Sequence, residues 1–387
     1  MKISILCYDV STNAFGRAYV LAKMLQPRYE VEILGPAFGD GIWQPFRESC
    51  DIYCRHIKFG KRSRGLGRLK ELIDRAAGDI ICVSKPLFTS YAIGLLGRRK
   101  RPIVLDVDDW EWGFARDSMR RHSWSHVVKR WYKSILQPHR RSAYFGTWLC
   151  EKLVSCAEEI TVSNEFLRTR YGGTLIPHGR DEAAFKPEDW NQEELRQRHH
   201  IAPSEKVVMF LGTPRLHKGI EDLIEAVSLI PEERLLLALV GIDTENDYCS
   251  RLCETARRAL GSRFRAFPTC PFDKIAGHIA LSDIMVIPQR QSLSTRGQMP
   301  AKVFDAMAMA RPVVATAVSD LPKVLDGCGW LVEPGNPEAL ARAILEAVSN
   351  VSEATRRGQL ARKRFLEHYT YAAIRPRLFN VFSKFDR

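Results

Sequence analysis

The chain has 387 residues, of which 45% are apolar and 27% charged, with 58 Lys and Arg against 45 Asp and Glu for a net charge of +13. That length exceeds one typical hydrophobic core, so two domains are expected, and the composition excludes a disordered or fibrous chain. No stretch comes near the roughly eighteen apolar residues that a spanning helix needs. The ten cysteines include no Cys-x-x-Cys pair and no zinc spacing, so no metal centre is expected from them.

The positive excess sits early. Residues 1–187 carry 31 Lys and Arg against 20 Asp and Glu, whereas residues 188–387 carry 27 against 25. An anionic partner, nucleic acid or a lipid surface, is one reading of that half, and a merely soluble basic domain is the other. The opening apolar run, residues 2–8, is too short for a signal-peptide core and predicts a buried first strand, which places the protein in the cytosol.

A turn over residues 11–17 follows, with Gly16 permitting close backbone approach and Arg17 adding charge at a helix start. A helix is expected over 18–25 and a strand over 29–35. Further short apolar runs at 79–84, 102–107 and 159–163 alternate with helical patterns, which implies a parallel sheet covered by helices. The basic runs 59–68 and 98–101 lie between these elements.

The most acidic spot of this basic half, Leu105-Asp-Val-Asp108-Asp109-Trp110-Glu111-Trp112, directly follows a strand. Asp108 and Asp109 could orient or deprotonate an attacking hydroxyl, or stabilise positive charge growing on a sugar ring. Trp110 and Trp112 could stack on a sugar or lipid. The plainer alternative is a pair of acids capping a helix.

Residues 118–141 place Trp124, Val127, Val128, Trp131 and Ile135 on one helical face, with Arg120, Arg121, Lys129, Arg130 and Lys133 largely elsewhere. Tryptophan beside Lys and Arg suits an interfacial membrane helix, which would put the protein at the inner face of the membrane. An amphipathic helix packed on the core with a solvated basic face is the competing reading. After the run Ile176-Pro-His178-Gly179, the polar stretch 184–204 reads as a linker.

The second half repeats the alternation. Strands are expected at 206–212, 234–240, 263–267, 283–288 and 312–316. Helices are expected at 220–229, 248–260, 272–281, 337–349 and 352–368. Gly212 ends the first of these strands, and Arg215 and Lys218 lie in the loop after it. Later, Gly297-Gln298-Met299-Pro300-Ala301-Lys302 leads into a helix on which Lys302 and Asp305, three residues apart, share a face. Cations near a helix start suit phosphate, and a carboxylate one turn on suits ribose hydroxyls. Lys302 and Asp305 could equally be ordinary first-turn charges.

Taken together, 208–219, 280–288, 297–316 and 327–340 resemble the family 4 glycosyltransferases in motif order and spacing. The resemblance is specific over residues 160–350 and loose over 1–110. It implies the GT-B fold: α/β, with two Rossmann-like doubly wound parallel-sheet domains facing across a cleft. Residues 1–183 would form the acceptor domain, 184–204 the linker, 205–365 the nucleotide-sugar donor domain, and 366–387 a C-terminal helix crossing back.

The resemblance also implies retaining transfer of a sugar from a nucleotide-sugar, with no cofactor or metal and with UDP-sugar or GDP-sugar as co-substrate. The acceptor would be a saccharide or lipid-linked molecule, in the making of a cell-surface glycan. Lys218 matches the diphosphate-gripping lysine of that family. Arg215 stands in for its arginine, whose usual place is taken by Thr213. Asp305 matches the ribose-binding acid, while the sugar-contacting acid falls on Gly297, which has no carboxylate. Pro300-Ala-Lys302 fits a variant in which the lysine helps bind phosphate, and the amides of Gln298, Met299 and Ala301 could cradle the diphosphate. Gly16 and Arg17 stand where the first-domain loop meets the donor, and Asp108 and Asp109 where relatives carry a His-Asp pair. His178 is expected to position the acceptor. A metal site of Asp-x-Asp type belongs to differently folded enzymes.

The alternatives are another GT-B activity, such as nucleotide-sugar epimerisation, or a non-catalytic module binding nucleotide or nucleic acid. The chain lacks interleaved surface aromatics on a strand and a helix-turn-helix pattern, so nucleic acid is not the expected partner.

Overall fold

In the computed structural model, which describes residues 1–59, 65–140, 143–231 and 234–386, the apolar runs pair into two sheets. Parts of the basic runs 59–68 and 118–141 fall outside the described residues. The first sheet holds β1 (Lys2–Cys7), β2 (Glu30–Ala37), β3 (Cys54–Lys58), β4 (Ile80–Ser84), β5 (Ile103–Val107), β6 (Glu159–Val162) and β7 (Thr174–Leu175), in the order β3-β2-β1-β4-β5-β6-β7. The second holds β8 (Lys206–Leu211), β9 (Leu235–Ile242), β10 (Phe264–Pro268), β11 (Ile284–Ile287), β12 (Val313–Thr316) and β13 (Trp330–Val332), in the order β10-β9-β8-β11-β12-β13. Every pairing among these strands is parallel.

Parallel strands are covered by helices on both faces, so they read as unbroken apolar runs. All five residues of β4 and of β5 are buried. β3 was not anticipated, because it is a half-exposed edge strand reading Cys-Arg-His-Ile-Lys. β13 is too short to announce itself.

The chain divides into two compact units. One comprises Met1–His178, Arg296–Met299 and Ile374–Arg387; the other comprises Gly179–Thr295 and Pro300–Ala373. Residues 184–204 are folded into the second unit. They carry a helix, Gln192–Arg198, capped by the Asn191 side chain. Arg196 ties that helix down by donating to the Leu281 carbonyl and to Asp283 Oδ2 at 2.6 Å. Near the C terminus, Phe379 and Phe382 pack against Tyr29 within the first unit.

Register sets up the first unit's chemistry. β4 and β5 pair so that Ser84 lies opposite Asp106. Whatever follows β4 therefore meets whatever follows β5.

Candidate functional site

At the end of β4, Lys85 adopts a left-handed backbone conformation (φ 77°). Its amide donates to the Asp106 carbonyl at 2.9 Å, and its own carbonyl accepts from Ser90 Oγ at 2.8 Å. This conformation is costly outside glycine and is held by such contacts. The Lys85 side chain turns into the acidic run after β5. Its ammonium lies 2.8 Å from Asp108 Oδ1, 2.5 Å from Asp109 Oδ2 and 2.8 Å from Glu111 Oε1. The three carboxylates offer oxygens within 4.8 Å of one another, a spacing able to hold a metal ion. A protein cation already stands among them.

Burial and like charge separate these acids. Burial, with the neighbouring Asp109 and Asp106 carboxylates, pushes Asp108 up to about 7 against the opposing pull of Lys85. Burial acts the same way on Asp109. There the Lys85 charge and the hydrogen bonds from Lys85 and Gln298 outweigh it and hold the carboxyl below its ordinary value. Burial raises Glu111. Burial works to lower Lys85, but its three carboxylates raise it well above the ordinary lysine value. Two adjacent carboxyls are thus driven apart, one toward the protonated form near neutrality and the other toward the ionised form.

The loop Arg296–Met299 completes this site. Gln298 Nε2 donates to Asp109 Oδ1 at 3.1 Å, and His178 lies close enough to act electrostatically on Asp109. The Trp110 amide donates to the Gly297 carbonyl at 3.1 Å. A Cβ on Gly297 would sit 2.4 Å from Trp110 Cβ, so no acid fits at the position where the family resemblance places one.

Several first-unit expectations are corrected. Arg17 is buried and committed inside the fold: Nε and Nη2 donate to Asp106 at 2.8 and 2.7 Å, and Nη2 also to the Ile176 carbonyl. It braces β5, and its charge is spent there instead of being offered to a donor phosphate. The first helix starts at Ala14, earlier than expected, so Gly16 lies in its first turn. Trp110 is 4% exposed, packed on Phe166 and beneath the Arg170 guanidinium, and so is not open to an acceptor. Trp112 lies edge-on to Trp131 at 6.1 Å. Met299 is buried.

The second unit builds a different surface. Gly212 (φ 141°) directly follows β8, and Gly219 (φ 65°) closes the loop. A Cβ on Gly219 would meet the Pro288 carbonyl oxygen at 2.0 Å, so only glycine fits. Between them Arg215 is exposed and Lys218 half-buried in a short 3-10 turn, Leu216–Lys218. The loop is pinned by the Arg290 amide, which donates to the His217 carbonyl at 3.0 Å, and Arg290 itself forks onto Asp222. The Lys302 stem lies 3.9 Å from where a Cβ on Gly212 would stand. Three expected cations thus share the carboxyl edge around β8, the position where ligands bind in open parallel sheets.

Asp305 departs from expectation. Its carboxylate is fully buried, ion-paired with Arg180 and 3.1 Å from Lys302 Nζ. Burial works to raise it, but Arg180 and Lys302 outweigh burial and hold it below its ordinary value. A carboxylate with no exposed surface cannot take ribose hydroxyls, so as placed Asp305 anchors Lys302. Ala301 precedes the helix Lys302–Ala308 as its N-cap, without a side-chain hydrogen bond. Lys85 and Arg180 were not identified from the sequence, and Glu111, part of the acidic run, was given no role there. Lys85 directly follows a predicted strand, and that was the one available signal.

The comparisons with known proteins agree with this architecture. Residues 205–350 match the family model described as glycosyl transferases group 1. A 226-residue stretch, 58% of this chain and 55% of the relative, is 24% identical to N-acetyl-alpha-D-glucosaminyl L-malate synthase of Bacillus anthracis. Another of 265 residues, 67% of this chain and 59% of the relative, is 25% identical to the MMP alpha-(1->4)-mannosyltransferase of Mycolicibacterium hassiacum. The matched part therefore spans little more than half the length of these relatives. Among solved structures, HepE of Anabaena in complex with UDP-glucose aligns with a TM-score of 0.77 at 19% identity, over 99% of this chain and 100% of that one. Sucrose-phosphate synthase of Thermosynechococcus elongatus aligns with 0.75 at 18% identity, over 100% and 99%. At such identities the structural likeness establishes the fold.

Proposed function

We propose that this chain, whose residues 205–350 match a group 1 glycosyl transferase domain, moves a sugar from a nucleotide-sugar to a saccharide or lipid-linked acceptor with retention of configuration. The observation that carries the reading is the glycine-bounded loop after β8, which carries Arg215 and Lys218, with the Lys302 stem against Gly212 at its start. As the bond from the sugar's anomeric carbon to the phosphate oxygen breaks, negative charge grows on the diphosphate. Fixed cations stabilise that charge more in the transition state than in the ground state, and in this reading they take the part a metal ion plays elsewhere.

The acceptor oxygen attacks from the face the diphosphate leaves, and its proton passes to the departing phosphate oxygen. Asp109, kept ionised by Lys85 and Gln298, faces positive charge on the sugar or orients the acceptor hydroxyl. Asp108 contributes a carboxyl that holds its proton close to neutrality. Lys302 is aimed by Asp305, and His178 supports Asp109. HepE is described in complex with UDP-glucose, which favours a UDP-sugar donor, with a GDP-sugar next. Relatives support a place in glycan synthesis, among them one named "Putative colanic acid biosynthesis glycosyl transferase WcaI" in Escherichia coli.

A thermal-shift screen of UDP-, GDP-, ADP- and TDP-sugars tests this. One nucleotide series should raise the melting temperature, since a ligand that binds only the folded state stabilises it in step with affinity. No shift with any of the four would reject the donor assignment.

A further inference from the structure

The helix Trp124–Leu136 of the first unit has only one buried residue, Ser134. Ser134 Oγ accepts from the Phe145 amide at 2.9 Å, and Trp131 packs near Trp112, Tyr144 and Trp148. This seats the helix on its neighbours by one narrow side and corrects the single apolar face read from sequence, because Trp131 turns inward. Trp124 (80% exposed), Tyr132 (66%) and Leu136 (65%), with Val128 and Ile135, are left in solvent. At about 100° per residue these five span an arc of roughly 120°. Lys129 and Lys133 follow beyond its edge, both exposed, and the preceding helix Glu111–Arg120 ends in exposed Arg120 and Arg121.

Charge decides what such a face fits. From Ser118 to Cys150 the sequence holds seven Lys and Arg and no Asp or Glu. An apolar strip with Trp and Tyr, bordered by cations and clear of acids, complements an anionic bilayer: rings and aliphatic chains enter the headgroup boundary while lysines meet lipid phosphates. No helix among the described residues is long and apolar enough to cross a membrane, so the contact is a docking, not a span.

We propose that this helix docks the first unit on an anionic lipid surface through Trp124, Tyr132 and Leu136, with Lys129 and Lys133 supplying the electrostatic attraction. The inference deepens the proposed function, and rests on it only in making the acceptor lipid-linked. Docking itself needs no turnover.

The test is flotation of the full chain with phosphatidylcholine vesicles, with and without about 30% phosphatidylglycerol. Binding should require the anionic lipid and should weaken as salt shortens the screening length. K129Q/K133Q should weaken it about thirtyfold, at roughly 1 kcal/mol per basic residue near the surface. W124S/Y132S/L136S should weaken it at least about tenfold. Both variants replace exposed side chains, and each should keep the wild-type melting temperature and nucleotide-induced shift, so loss of docking is separable from failure of the donor site. The proposal is overturned if the wild type ignores anionic vesicles, if it floats equally with neutral ones, or if the helix instead mediates self-association that the triple variant abolishes without any lipid binding.

Discussion

The two units use charge in opposite ways. In the first, Lys85, Asp108, Asp109 and Glu111 form a knot whose ammonium is almost wholly withdrawn from solvent, and every short contact is internal. In the second, Arg215 is exposed and Lys218 half-exposed, on a loop shaped by glycines. Buried charge is tolerated only when it is matched, and the matching shifts proton affinities. Arg215, exposed on that loop, is placed to meet a mobile anion. The contrast teaches that one unit shifts the proton affinities of buried acids while the other sets cations at a loop surface.

The comparison is most sharply broken at Lys85. Lys85→Met would leave three carboxylates together without their cation, and removing one partner of a buried ion pair costs about 3–5 kcal/mol. Chemical denaturation should show a loss of that size, and a variant as stable as the wild type would mean that the knot is not held by this lysine. Next is Lys218→Ala, expected to lower turnover by about 10²–10³, the usual effect of removing one preorganised donor to developing charge. The same variant should still fold, so the loss falls on turnover.

Gly219→Ala tests the loop's scaffold. It introduces a Cβ 2.0 Å from the Pro288 carbonyl oxygen at a left-handed position. A cost of about 1–3 kcal/mol is expected from backbone strain, together with weaker nucleotide binding as the loop shifts. The smallest effect concerns pH. A folded Asp108 raised to about 7 binds its proton more tightly than in the unfolded chain. Its share of stability is therefore present at low pH and lost as pH rises from the ordinary carboxylate range through about 7. Asp108→Asn should flatten the decline in melting temperature over that window, whereas an unchanged slope would place the titration elsewhere.

Much of the fold was legible because parallel strands are buried on both faces. β4, β5, β8 and β11 each stand out as a short apolar run, and the alternation with helices implies the sheets. Edge strand β3 was not, since its exposed side carries His56 and Lys58. Within the site, the loop after β8 could be read from local spacing. Lys85 could not be joined to Asp108 and Asp109, because their meeting depends on the register of β4 against β5. The partnership of Asp305 with Arg180 likewise spans 125 residues, and no local pattern announces it. Arg17 shows the converse: a cation near a helix start looks like a phosphate ligand until its partner Asp106 is seen. The exposed face of the 124–136 helix was half legible, with period 3.6 identifying the stripe but not which edge of it turns inward.

The claim that the second unit grips a nucleotide diphosphate is tested most directly by titrating UDP and GDP calorimetrically into the wild type, Arg215→Ala and Lys218→Ala. The account predicts tight binding of one nucleotide by the wild type, with each substitution weakening it about tenfold or more, the scale of a lost charged hydrogen bond, and with the melting temperature of the unliganded protein unchanged. Equal affinity in all three proteins would contradict it.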